Sequence, residues 1–206
     1  MNKFPIALFV TTLALCYTHP ILAQTRFGLK AGYTHATMAF SDDYIDLLEF
    51  IGGEDVSVKS LPAYHVGAVV EFGFGGNFGL GTGIQWSAKG TEQVFSGVIL
   101  NVPYTRTRKL MPMYLQVPLA LTFRSHRFYA GAGPYFGFAI AGKDKTKTES
   151  GGSSNESSES LDFGDNQGDD FTTTDFGASF ELGYAFFGNL RLSASYNLGL
   201  ANIIPA

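Results

Sequence analysis

Cysteine is almost missing from this sequence: Cys16 is the only one in 206 residues. Leu15 stands before it where a lipid anchor needs a small residue, so lipidation is not expected. Cys16 also lies in a leader described below, so the rest of the chain has no disulfide, thiol nucleophile or thiolate metal site. Charge is sparse too. Asp, Glu, Lys and Arg make up 16% of residues, against about a quarter in ordinary soluble domains. The net charge of −4 supplies no basic surface for nucleic acid and excludes that partner class. The longest apolar run, residues 6–16, is too short to span a bilayer as a helix. Past Gln24 no segment sustains a helical period.

What is present begins with the leader MNKFPIALFVTTLALCYTHPILAQ. Lys3 gives a positive start, residues 6–16 an apolar stretch, and Ile21-Leu22-Ala23 a small residue before a cut at Gln24. Residues 1–23 therefore read as a secretory signal peptide, leaving residues 24–206 as one domain.

Beyond the leader, apolar and polar residues alternate, the mark of strands. Seven are expected: residues 26–37, 61–74, 78–91, 110–124, 128–141, 175–187 and 190–201. Split by parity, they agree with one another. Leu115, Val117, Leu119, Leu121 and Phe123 share a face, while Gln116, Pro118, Ala120 and Thr122 share the other. Phe176, Ala178, Phe180 and Leu182 oppose Asp175, Gly177, Ser179 and Glu181. Leu190, Leu192, Ala194 and Tyr196 oppose Arg191, Ser193, Ser195 and Asn197.

The charged face is also the glycine-rich face, and glycine suits crowded, concave surfaces. A soluble ligand-binding barrel would place its bulky apolar residues inside. Here they face outward, toward something other than water. A closed antiparallel barrel in a bilayer meets that condition, because it leaves no backbone group unpaired in hydrocarbon. Aromatics near strand ends, such as Tyr33, Tyr64, Trp86 and Phe128, suit interfacial girdles. Tight connections at 75–77, 125–127 and 188–189 alternate with long ones at 38–60, 92–109 and 142–174, as in barrels with periplasmic turns and extracellular loops. Residues 143–170, rich in Ser, Gly and acids, are expected to be disordered. The more apolar loop 38–60 is expected to form a short helix or to cap the mouth.

The runs YLQVPLALTF, FYAGAGPYFGF and DFGASFELGYAFFGNLRLSASYNLGLANI resemble the outer membrane β-barrel domain family of Bacteroidota, a group that includes PorT-like proteins. Tyr114, Pro118, Gly133-Pro134-Tyr135, Asp175-Phe176-Gly177, Tyr196, Asn197, Gly199 and Leu200 carry the likeness. The resemblance implies an all-β, antiparallel up-and-down transmembrane barrel of the eight-stranded type, usually without an assigned activity. Family members continue past the equivalent of Asn202 into one more strand, whereas this sequence stops at Ile203-Ile204-Pro205-Ala206. Seven strands are thus expected, with the C-terminal one missing and two edges left unpaired.

Three groups of residues bear on function. Lys30, Glu71, Lys89, Arg124, Glu181 and Arg191 are expected to form a polar cluster in the lumen, with Tyr114, Tyr129 and Tyr135 beside them. They would pair and plug the barrel, or alternatively line an ion path. His65, Ser87 and Lys89 fall near one rim, but nothing in their spacing forces a nucleophile, base and acid together. His35 falls on the outer face and His126 in a turn. Asp162, Asp165, Asn166, Asp169 and Asp170 carry oxygen ligands without the order of a calcium loop, so a solvated acidic loop is expected and no metal or other cofactor. The expectation is a non-enzymatic outer-membrane protein that displays loops, with outer-membrane lipid around it. The alternatives are an envelope-assembly or secretion accessory with a protein partner, or a lipid-modifying barrel enzyme.

Overall fold

Alternation of large apolar and small polar residues produces one antiparallel sheet. The computed structural model describes residues 25–38, 50, 55–99, 101–164, 166, 168–187 and 189–202. The expected signal peptide lies outside them, as does most of the 38–60 loop. The strands are β1 (Thr25–Ala36), β2 (Asp55–Gly75), β3 (Phe78–Ala88), β4 (Thr91–Ile99), β5 (Val102–Ser125), β6 (Phe128–Ser150), β7 (Ser153–Ser160), β8 (Thr174–Phe187) and β9 (Leu190–Gly199). They pair in the order β1-β2-β3-β5-β6-β8-β9, with β4 between β2 and β5 and β7 against β6. No described helix is long and apolar enough to cross a membrane.

The seven expected strands are all present, and several run further than expected. Residues 92–109, expected as a loop, form β4 and the start of β5, turning at Asn101 with φ 64°. Lys89 and Gly90 interrupt the line between β3 and β4, where Lys89 N donates to Pro112 O at 2.9 Å. Residues 143–170 depart from the expectation of disorder. Residues 143–150 and 153–160 form the far third of β6 and all of β7, joined at Gly151 and Gly152 with φ 56° and 83°. The composition is as poor in apolar residues as it looks. The ladder of β5 compensates, since Tyr104 to Met113 pair residue by residue with Ser150 to Ala141. A hairpin grown on an existing edge requires less ordering than one formed alone.

The faces are inside out relative to a soluble protein. Leu29 is 91% exposed and Leu192 68%, and Leu119, Leu121, Phe136, Phe176 and Phe180 are exposed with them. On the opposite face Glu71 is 9% exposed, Gln116 3% and Thr122 1%. A contiguous apolar belt of this kind marks a surface that meets something apolar. The sheet curls until Lys30 on β1 meets Glu181 on β8 at 2.7 Å. Six antiparallel steps separate β1 from β9, so both edge strands run the same way. Among the described residues no ladder joins them, and a seam remains between the two edges.

Candidate functional site: the polar lumen

Glycine on the inner face makes room for long charged side chains. Gly79 and Gly81 lie on β3 between Glu71 of β2 and Arg124 of β5. A methyl group at either would come within 3.0 Å of Thr122. Across this gap Arg124 forks onto Glu71, with Nε to Oε1 at 3.2 Å and Nη2 to Oε2 at 2.5 Å. Arg26, opposite Glu71 in the ladder, adds a third cationic contact at 3.6 Å. Arg191 stacks its guanidinium 3.7 Å from the centre of the Tyr129 ring. Tyr129 itself lies over Gly131, where an added Cβ would sit 3.1 Å from its hydroxyl.

Midway up, Lys30 pairs with Glu181 at 2.7 Å. Toward the opposite end Lys89 pairs with Asp175 and donates to the Tyr135 hydroxyl at 3.1 Å. Its ammonium also lies 4.6 Å from the Tyr135 ring centre and 5.5 Å from that of Tyr114. Such contacts favour a cation held away from bulk water. All six expected lumen residues therefore lie inside. Four of them pair as Glu71–Arg124 and Lys30–Glu181, Lys89 pairs with Asp175, and Arg191 rests on Tyr129. Asp175 was absent from the expected cluster, although parity already placed it on the inner face with Glu181.

The interior is filled unevenly. Opposite the seam, ion pairs and tyrosines occupy it. Beside the seam a cavity of about 1450 Å³ runs along β1 and β9, reaching Arg26, Lys30, Glu71, Arg191, Ser195 and Asn197. The interior is thus fuller on one side than on the other: Arg191 is the one large residue on the inner face of β9, and Ser193, Ser195, Asn197 and Gly199 leave room beside the seam. Tyr114 Oη and Gln116 Nε2 are buried without a hydrogen-bond partner among the described residues.

The end of the lumen beyond Lys89 is partly filled by apolar packing that sequence reasoning missed. Leu161 and Phe171 bury against Met38 and Leu110, with Phe163 packed on them. The signal was three large apolar residues within an acid-rich stretch. The acids of that stretch serve its backbone: Asp170 Oδ2 accepts from Asp162 N at 3.0 Å, and Asp169 Oδ2 from Asn166 N at 2.8 Å. Asp165 lies outside the described residues. Among the described residues no three His, Cys, Asp or Glu are grouped to hold a metal. His65 faces inward and shares a 2.8 Å hydrogen bond with Thr34, while Ser87 pairs opposite it in the ladder. His35, on the outer face, contacts the Tyr33 hydroxyl at 3.2 Å.

An antiparallel sheet with an apolar outer belt and charges paired along its inner face defines a β-barrel of the membrane-spanning class. Residues 22–205 match the family model for the outer membrane protein beta-barrel domain, and the chain belongs to that family. No curated protein and no solved structure matches it.

Proposed function

We propose that this outer-membrane β-barrel protein is a non-catalytic scaffold, reached through a cleaved signal peptide, that holds a projecting sheet outside the cell. The observation that carries this reading is the division of labour across the sheet. The inner charges, apart from Arg191 on the Tyr129 ring, pair with one another, and the outer surface is apolar. His65 is engaged with Thr34 and Lys89 with Asp175, which argues against a rim catalyst acting on lipid. Outer-membrane lipid is then the constant partner, with no cofactor and no nucleic acid. The test is heat-modifiable migration of the detergent-folded chain together with lipid-modifying activity. Unchanged migration on boiling rejects the barrel scaffold. Activity that disappears in His65→Ala rejects the non-catalytic reading.

A second reading is a PorT-like accessory of the Bacteroidota type, working in envelope assembly or secretion through a protein partner. The observation favouring it is β7, which is exposed along its whole length at the edge of the projecting sheet. Removal of residues 146–157 separates the two readings: a secretion defect with the barrel intact supports the accessory role.

A further inference from the structure

Above the apolar belt, the outward face of the sheet changes character within a few residues. Lys145 on β6 stands opposite Lys109 on β5, Lys109 opposite Glu92 on β4, and Glu92 opposite Lys59 on β2. Lys143, one rung lower, stands opposite Met111. The bulge at Met113 and Tyr114, which leaves Ile140 without a ladder partner, turns Lys143 and Lys145 to the side that carries Phe136 and Phe138 below it. Lys59, Lys143 and Lys145 are exposed, and Lys109 is half-buried against Glu92 at 3.1 Å. Four lysines thus face out at nearly one height against a single glutamate. Lys143 and Lys145 have no ion-pair partner among the described residues. Lys147, further up, differs: it is bonded to Glu149 at 2.6 Å and stands opposite Glu156.

Position gives this rung its meaning. Ala141 is the last apolar outward residue of β6. Lys143 and Lys145 follow about 7 and 13 Å further along the strand, at about 3.3 Å per residue. That is the depth of lipid headgroups directly above a hydrocarbon belt. We propose that Lys59, Lys109, Lys143 and Lys145 form a basic rung that binds the phosphate-bearing headgroups of the leaflet at this end of the barrel. The inference rests on the membrane-spanning reading and adds to it a choice of lipid. Charge complementarity and direct continuity with the lipid-facing belt select headgroup phosphate over a protein partner. A lysine near an anionic membrane surface contributes on the order of 1 kcal/mol.

Trp86, the only tryptophan, gives a local readout. It lies on the outward face of β3, opposite Leu115 and in line with Glu92 on β4. The full chain is reconstituted into mixed phosphatidylcholine and phosphatidylglycerol vesicles in which only one lipid carries brominated, quenching acyl chains. Brominated phosphatidylglycerol is expected to quench Trp86 more strongly than the same fraction of brominated phosphatidylcholine. The preference should fall about fivefold for each lysine removed among Lys109→Gln, Lys143→Gln and Lys145→Gln. High salt should reduce it and Lys147→Gln should leave it intact. Heat-modifiable migration establishes that each variant is folded, and Lys145→Gln alone carries the reading if the triple variant is not. Equal quenching by the two lipids, or a preference that survives the substitutions, overturns the rung while leaving the barrel standing. Loss of the preference to inorganic phosphate at matched ionic strength overturns it in favour of a free-anion site. No quenching by either lipid overturns the membrane reading itself.

Discussion

Tyr135 shows how a single inner-face residue depends on what its neighbours lack. Its ring lies over Gly177 of β8, where an added Cβ would stand 2.8 Å from the tyrosine Cε1 and Oη and would also press on the Leu198 carbonyl. The tyrosine cannot yield easily, because it is 2% exposed and its hydroxyl accepts from Lys89. Gly177→Ala should therefore destabilise the barrel by about 1–3 kcal/mol, the usual range for overpacking. Gly168→Ala, where nothing lies within 4 Å, should change it by less than about 0.5 kcal/mol. Urea unfolding in lipid vesicles followed by Trp86 emission measures both. The Glu71–Arg124 fork makes a second case. Arg124→Ala leaves a carboxylate 11% exposed with only the 3.6 Å contact to Arg26. A fully buried pair broken in this way costs about 3–5 kcal/mol. Arg124 keeps 31% of its side chain exposed, so a smaller loss, about 2 kcal/mol, is expected here. The double variant Glu71→Gln/Arg124→Met should recover most of it, since the only charge left without its partner is Arg26, whose side chain is half exposed; equal losses in both variants would reject the pairing as the cause.

At the scale of the strand, parity was enough to place the seven spanning segments and their two faces, except where the bulge at Met113 and Tyr114 turns Ala141 outward. Leu115 to Phe123 and Phe176 to Leu182 turn out as the alternation requires, because a one-residue slip would bury the wrong set. What lay beyond the belt was not legible. Residues 143–160 carry no apolar stripe; residues 143–150 are ordered by pairing with β5 and β7 by pairing with them in turn, a long-range cause that local composition does not report. Residues 92–109 were more readable in retrospect, since Val94, Phe95, Val98 and Val102 flank a turn at Asn101. Residues 161–173 hid their cap for a different reason: three apolar positions act together only after the chain folds back on Met38 and Leu110. This division predicts where the sheet opens first. Amides of β5 and β6 between Leu115 and Tyr135 have ladders on both sides and should exchange slowest. Those of β1 and β9, paired on one side only, should exchange fastest among the spanning strands. Hydrogen exchange read by mass spectrometry on the reconstituted chain checks the order, and equal protection of β1 and β5 would mean that the seam is covered.

For the molecule as a whole, the choice of solvent around the outer face decides the sign of otherwise similar substitutions. Leu119 sits at the middle of the apolar run Leu115 to Phe123 on β5, opposite Thr82 on one side, and is 43% exposed. In water an exposed leucine tolerates replacement by arginine at a cost within about 0.5 kcal/mol. At the midplane of a bilayer the same replacement costs about 2–4 kcal/mol on a barrel surface. Leu119→Arg should therefore lose about that much in vesicles, while Ser96→Arg, on the outward face of β4 above the basic rung, should be close to neutral. The contrast depends on depth, so it separates a lipid-facing belt from an apolar surface waiting for a protein partner. A partner interface would penalise arginine according to local packing and would show no gradient along the strand. If Leu119→Arg and Ser96→Arg unfold at the same urea concentration in vesicles, hydrocarbon does not surround the belt, and the inward charges lose the reason for their arrangement.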